Sequence, residues 1–250
     1  MRLFMLPRLL ILLFMILPLL AQAGSPPSHA IWDGLLKKHV DGRGLVDYKG
    51  LKRDEALLNQ YLDLLSRTPP AASWSVNEKM AYWINAYNAF TVRLILNHYP
   101  LKSIKDIGPA VQIPFVNTPW TEKFFTIGGQ KMSLDNIEHG TLRKQFTEPR
   151  IHFALVCAAR SCPRLRNEAY TPARLAGQLN EQGVGFLNDP TKNAVTPGRA
   201  SLSKLFDWYN RDFEKNSRSV VYWVNRYSQT KINADTPVSY LDYDWRLNEQ

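Results

Sequence analysis

Residues 77–99, NEKMAYWINAYNAFTVRLILNHY, decide the fold, because they are apolar on too many sides to lie on a surface. Advancing about 100° per residue, one helical face runs from Met80 and Trp83 through Tyr87 and Phe90 to Leu94 and His98. Ala81, Asn88, Val92 and Leu96 fill the next face, and only the sector of Tyr82, Ala86, Arg93 and Asn97 reads as wet. Ser75 and Glu78 stand three apart at the entrance, the spacing of a capping box, and Pro100 closes the exit. The sequence therefore predicts a buried central helix. Asn85 and Asn88 sit one turn apart near its second buried face, where amides need partners.

On the N-terminal side, HAIWDGLLKKHV and about residues 53–65 read as two amphipathic helices, and Pro69-Pro70 ends the second. On the C-terminal side a proline-broken loop, GPAVQIPFVNTPW, precedes KFFTIGGQKMSL, two short strands about a Gly128-Gly129 turn. Ser133 caps a helix whose apolar stripe, Leu134, Ile137, Leu142 and Phe146, has Glu138 at its centre. A carboxylate there needs a partner. IHFALV, 151–156, reads as a buried strand, followed by a helix within 171–189. Two aromatic-rich helices, LSKLFDWYNRDF and SVVYWVNRY, and an extended end, VSYLDYDW, complete the chain. Helices outnumber strands, which predicts an α+β fold: a single helix-rich domain with a buried central helix and a small, mainly antiparallel sheet.

The first residues carry a different message. Arg2 and Arg8, the apolar run Leu9 to Leu20 and the small-x-small Ala21-Gln22-Ala23 form the pattern of a secretory signal peptide over 1–23. The run is shorter than the ~20 residues a membrane span needs, so cleavage and no remaining span are expected. A periplasmic or secreted location follows. Residues 24–73 then form a helical extension packed on a domain at 74–250. Loss of Arg2 and Arg8 takes the formal charge from +9 to +7, which favours anionic surroundings such as envelope polymers. With no basic tail or aromatic-interleaved basic stripe, nucleic acid is not the expected partner. A monomer without a cofactor is expected.

Several strings are familiar together: YWINAYNAFTVRLILNHYPLKSI, MSLDNIEHGTLR, RIHFALVCAARSCPRL, LSKLFDWYNRDF and YLDYDWRLN. In this order, from about Trp74 to Asn248, they resemble the family called domain of unknown function 547. The positions that match its motifs are Asn85 and Asn88, Glu138 and His139, His152, and Cys157, Ser161, Cys162 and Pro163. The resemblance implies an exported or envelope protein of bacteria and carries no catalytic assignment.

The chain's two cysteines, Cys157 and Cys162, lie in VCAARSCPRLR. In an exported protein such a pair reads as a disulfide, and one closing so short a loop is worth roughly 2 kcal/mol in the entropic account. Such a bridge would pin the loop's shape. The competing reading makes Cys157 a nucleophile, its thiolate favoured by Arg160, Arg164 and Arg166. Its base would be His139 in preference to His152, because on a regular strand His152 and Cys157 face opposite ways. Asn85 or Asn88 would assist an oxyanion. Glu138 has two readings, a buried ion pair and a cleft carboxylate of raised pKa. Glu138, His139 and His152 lack the spacing of a metal-binding pair, so no metal is expected.

Two functions emerge. One is a thiol-dependent hydrolase or acyl transferase acting on a small acyl substrate, an envelope amide or ester, at Cys157, His139, Glu138, His152, Asn85 and Asn88. The other is a non-enzymatic binding module whose disulfide-pinned loop holds an anionic envelope component with Arg160 and Arg164.

Overall fold

The computed structural model describes residues 24–250 apart from Phe115; the expected signal peptide, 1–23, lies outside the described residues. Three helices, α1 (Ala30–His39), α2 (Tyr48–Arg53) and α3 (Glu55–Arg67), lead to the long α4 (Val76–His98). The predicted capping box is present: the Ser75 hydroxyl accepts from the Glu78 N–H at 3.2 Å and the Glu78 carboxylate from the Ser75 N–H at 2.6 Å.

Every residue of α4 from Met80 to Val92 is buried, so the helix is wrapped more completely than its periodicity predicts. Tyr82 and Ala86, expected wet, lie in the core. The Tyr82 hydroxyl donates to the Leu65 carbonyl of α3 at 2.7 Å. Of that sector only Asn97 is fully exposed, while Arg93 folds back to Glu55 at 2.5 Å. His98, expected on the buried face, is exposed where the helix ends. Trp32, Tyr61 and Leu65 of the first helices share one apolar core with Ile84 and Leu94 of α4.

Beyond α4, strands β1 (Phe125–Ile127) and β2 (Gln130–Met132) form the predicted hairpin, with Ile127 opposite Gln130. Both turn residues have positive φ, 57° at Gly128 and 77° at Gly129, as a two-residue hairpin turn of this hand requires. The next helix is not regular. α5 (Leu134–Ile137) widens into a π-helical turn, Glu138–Leu142, before a last α-helical turn, α6 (Arg143–Gln145). After α7 (Leu175–Leu187) comes a hairpin that the sequence did not announce, β3 (Ala194–Thr196) and β4 (Arg199–Leu202). The predicted helix LSKLFDWYNRDF is two short ones, α8 (Leu205–Trp208) and α9 (Asn210–Phe213), parted at Tyr209. α10 (Val220–Tyr227) and β5 (Val238–Tyr240) follow, β5 lying parallel to β4. Phe153, Phe206, Phe213 and Trp223 anchor a second apolar cluster under these elements. The fold is α+β, a single domain with two small, mostly antiparallel sheets.

One predicted strand is absent. IHFALV begins in a tight 3₁₀ turn, Pro149–Phe153, and continues as irregular chain. Pro149 has no N–H to offer a ladder, and the Glu148 carboxylate accepts from the Arg150 N–H at 3.1 Å, which starts the turn instead. The irregular residues find their partner in α4. Asn88 donates from Nδ2 to the Ala154 carbonyl at 3.0 Å and accepts the Val156 N–H on Oδ1 at 2.9 Å. One turn earlier Asn85 treats Tyr170 likewise, donating to its carbonyl at 2.8 Å and accepting its N–H at 2.9 Å. Each amide occupies the place of a neighbouring strand and satisfies backbone that would otherwise be buried unpaired.

Asn88→Leu keeps the volume and strands one donor and one acceptor, each worth about 1–3 kcal/mol when buried. A destabilisation of roughly 3 kcal/mol is expected in urea unfolding. A value within 0.5 kcal/mol of wild type would mean that the segment does not depend on this clamp.

Candidate functional site

The segment that Asn88 holds leads directly into the cysteine loop. Cys157 and Cys162 are joined as a disulfide, their Cα atoms 6.1 Å apart. Between them Ala158 takes a left-handed conformation, φ 61°, which turns the loop toward the C-terminal chain. There Arg160 N–H donates to the Arg246 carbonyl at 2.8 Å, Ser161 N–H to the Asp244 carbonyl at 3.1 Å, and Asn248 N–H to the Ala158 carbonyl at 2.9 Å. The last residues are fixed from the other side by Tyr48, whose hydroxyl donates to Asn248 Oδ1 at 2.8 Å. This double attachment sets the direction of Tyr243 and Trp245.

Those two rings, with Trp120 and Trp208, form one wall of a cavity of about 570 Å³. Tyr243 and Trp245 lie 4.6 Å apart by centroid, Trp208 and Tyr243 4.8 Å, and Trp120 meets Trp245 edge-on at 5.8 Å. The disulfide is part of the lining, as are Glu138, His139 and His152. The Tyr243 hydroxyl lies 3.2 Å from each sulfur.

The polar part of the lining centres on the π-helical turn. The widened turn bonds the Arg143 N–H to the Glu138 carbonyl five residues back and carries Glu138 inward, where it is buried. The hydroxyls of Tyr87 and Tyr209 hydrogen-bond to its carboxylate. Burial, and then that carboxylate, push both phenols well above the usual tyrosine range. His152 Nδ1 lies 3.9 Å from Glu138 Oε1. Its Nε2 donates to Asp212 Oδ2 at 2.9 Å, and its ring stacks on Tyr209 at 3.8 Å. Burial pushes the Asp212 carboxyl up, but hydrogen bonds from His152, Arg143 and Lys215 outweigh that and hold it far below the carboxylate range. Arg143 also donates to His139 Nδ1 at 2.7 Å, so the neutral His139 ring carries its proton on Nε2, facing Asp135 at 3.7 Å. Asp135 is raised above its ordinary 3.8, first by burial.

Cys157, Glu138, His139 and His152 thus line one space. Asn85 and Asn88 do not: both ends of each amide are committed to backbone. Arg160 and Arg164 line a separate groove of about 670 Å³. Arg160 donates there to the Leu247 and Glu249 carbonyls at 3.1 and 2.6 Å, and Arg164 to Gln182 Oε1 at 3.3 Å. Gly44, φ 79°, sits where a Cβ would come within 2.5 Å of Arg164 Cβ, so the approach of that turn to the arginine demands glycine. Among the described residues no group of three His, Cys, Asp or Glu side chains is placed to hold a metal ion, and no helix is long and apolar enough to cross a membrane.

Sequence reasoning missed the aromatic wall, together with Asp135, Arg143, Tyr209 and Asp212. The tryptophans were visible in LFDWYNRDF and YLDYDWRLN, but aromatic residues in a helix or strand read first as core, and no sequence signal marks them as cavity-facing.

Residues 71–187 match the model of a family described as "Protein of unknown function, DUF547". That stretch is similar to the family. It runs from just before the α4 cap to the last residue of α7, a little under half of the chain. Within it lie Asn85, Asn88, Glu138, His139, His152 and both cysteines, whereas Trp208, Tyr209, Tyr243 and Trp245 lie beyond it. Residues 71–187 therefore supply Glu138, His139, Arg143, His152 and the disulfide, and the C-terminal third supplies Tyr209 and most of the aromatic wall. No curated protein and no solved structure matches the chain.

The buried His152 gives the site a pH signature. Burial lowers its pKa below 6.5, against the opposing pull of Asp212 and Glu138. A neutral imidazole in the fold competes with one that protonates at 6.5 when unfolded. Stability is therefore full above about pH 6.5 and declines as pH falls below it. His29, pushed to about 4 by burial, acts in the same window. Comparison of wild type with His152→Gln in urea unfolding at pH 7.5, 6.0 and 5.0 isolates His152, and a shallower decline is expected in the variant. Parallel curves would show that His152 takes up no proton on unfolding.

Proposed function

We propose that the protein is an exported binding protein that takes a small acyl- or aryl-bearing amide or ester into the aromatic cavity, over a floor pinned by the Cys157–Cys162 disulfide. The observation that carries this reading is the convergence of clustered aromatic rings and a polar wall on one cavity of about 570 Å³, within the size range of small-molecule sites. The rings would hold the apolar body of the ligand, and Glu138, His139 and Arg143 would orient its carbonyl and amide groups. The signal-like sequence at 1–23 and the disulfide support export. The same loop presents Arg160 and Arg164 to the second groove, which is the natural place for an anionic envelope component.

A second reading, hydrolysis or acyl transfer, is favoured by one observation: Cys157 shares the cavity with His139, Glu138 and His152. It requires the reduced protein, since a sulfur held in a disulfide is no nucleophile. In that state Cys157 would attack the acyl carbon and His139 would return the proton to the leaving group.

The two readings separate by redox state. Titration of the oxidised protein with a panel of acyl and aryl amides and esters, followed by tryptophan fluorescence, is expected to give saturable quenching without turnover. Trp245→Ala should weaken it roughly tenfold, the loss of one stacked ring at about 1–1.5 kcal/mol. Turnover that appears with reductant and vanishes in Cys157→Ser would replace binding by catalysis. No quenching by any member of the panel would remove the binding reading.

A further inference from the structure

The disulfide in the cavity is chemically lopsided. Both cysteines line the cavity, but Cys162 is buried, 3 % exposed, whereas Cys157 is only partly covered and is the more accessible of the two. Two donors converge on the buried sulfur: the Cys157 N–H reaches Cys162 Sγ at 2.8 Å and the Tyr243 hydroxyl at 3.2 Å. Burial, and then the Glu138 charge, raise the Tyr243 pKa far above its ordinary value, so the phenol keeps its proton and remains a donor. A thiolate released at Cys162 would be met at once by both groups. One released at Cys157 would have Tyr243 alone, at 3.2 Å. In thiol–disulfide exchange the sulfur that leaves is the one whose thiolate is better stabilised, and the sulfur attacked is the one within reach. Here both criteria select the same direction.

We infer that the Cys157–Cys162 disulfide is a thiol–disulfide exchange site for a small thiol whose aromatic or apolar body stacks on the Trp208–Tyr243–Trp245 wall. The inference rests on the reading of that cavity as a ligand site. An incoming thiolate attacks Cys157 Sγ, the S–S bond breaks, and its electron pair departs on Cys162 Sγ, which then takes a proton from solvent. The product is a mixed disulfide on Cys157. A second molecule of the thiol attacks the small-molecule sulfur of that adduct and releases the symmetrical disulfide and the Cys157 thiolate, which is protonated. Two thiols are oxidised to one disulfide, and the protein disulfide is reduced to two thiols.

Benzyl mercaptan serves as the probe thiol and free cysteine as the hydrophilic comparison, each reacted with the oxidised full chain, quenched in acid and mapped by peptide mass spectrometry after alkylation. The adduct is expected on Cys157 with Cys162 alkylated, and benzyl mercaptan is expected to react faster than cysteine at equal thiolate concentration. Tyr243→Phe keeps the ring and removes one hydrogen bond from the leaving sulfur, so exchange should slow roughly fivefold, the rate equivalent of about 1 kcal/mol. An adduct on Cys162, or adducts shared evenly, overturns the exchange site whatever the variant does, as does an unchanged rate in a folded Tyr243→Phe. Benzyl methyl sulfide, which cannot exchange, reports the cavity alone. Fluorescence quenching by it, together with a missing or misdirected adduct, overturns exchange and leaves the ligand site standing. No quenching, with equal rates for the two thiols, overturns the ligand site and with it the exchange that depends on it.

Discussion

The site depends first on a side chain that is not in it. Asn88, buried in the middle of α4, offers one donor and one acceptor to the backbone at Ala154 and Val156, and the next residue in the chain is Cys157. Without a strand neighbour, the Ala154 carbonyl and the Val156 N–H take this amide as their partner in a dry interior, where an unpaired peptide group is expensive. The amide fixes both the height and the direction in which the loop leaves the core. Asn85 repeats the device at Tyr170, so both ends of the segment from 154 to 170 hang from one helix.

The polar wall illustrates how a buried charge is tolerated. Glu138 projects from an apolar stripe, yet the π-helical turn moves it to where Tyr87, Tyr209 and His152 can face it. Such widened turns insert an extra residue into a helix and recur at functional sites, because they free a side chain from the register of its neighbours. The polar contacts continue outward through the His152 ring to Asp212 and from there to Arg143 and Lys215. Removal of Asp212 would leave the His152 Nε2–H without its acceptor in a low-dielectric setting.

Much of the scaffold was legible because it is local. The capping box at Ser75, the glycine pair of the hairpin and the anomalous Glu138 each follow from residues a few positions apart, and each takes its predicted place. IHFALV misled for the opposite reason. Its apolar run fits a strand as well as any buried segment, and the deciding partner, Asn88, is far away in sequence. The aromatic wall was illegible for a similar reason. Trp120, Trp208, Tyr243 and Trp245 belong to separate elements, and nothing in their local sequence distinguishes rings that face a cavity from rings that fill a core.

The central place of α4, the mixture of helices with little sheet and the close spacing of the two cysteines all follow from the order of residues, since periodicity, caps and short spacings act within one stretch of chain. Which groups face one another was fixed by the folded chain. It brought the C-terminal segment against the cysteine loop through pairing at Ala159 and Leu247, turned Arg160 and Arg164 to a different groove from Cys157, and committed both asparagines to backbone. Those outcomes depend on hydrogen bonds and packing between residues tens to hundreds of positions apart, for which a linear pattern carries no signal.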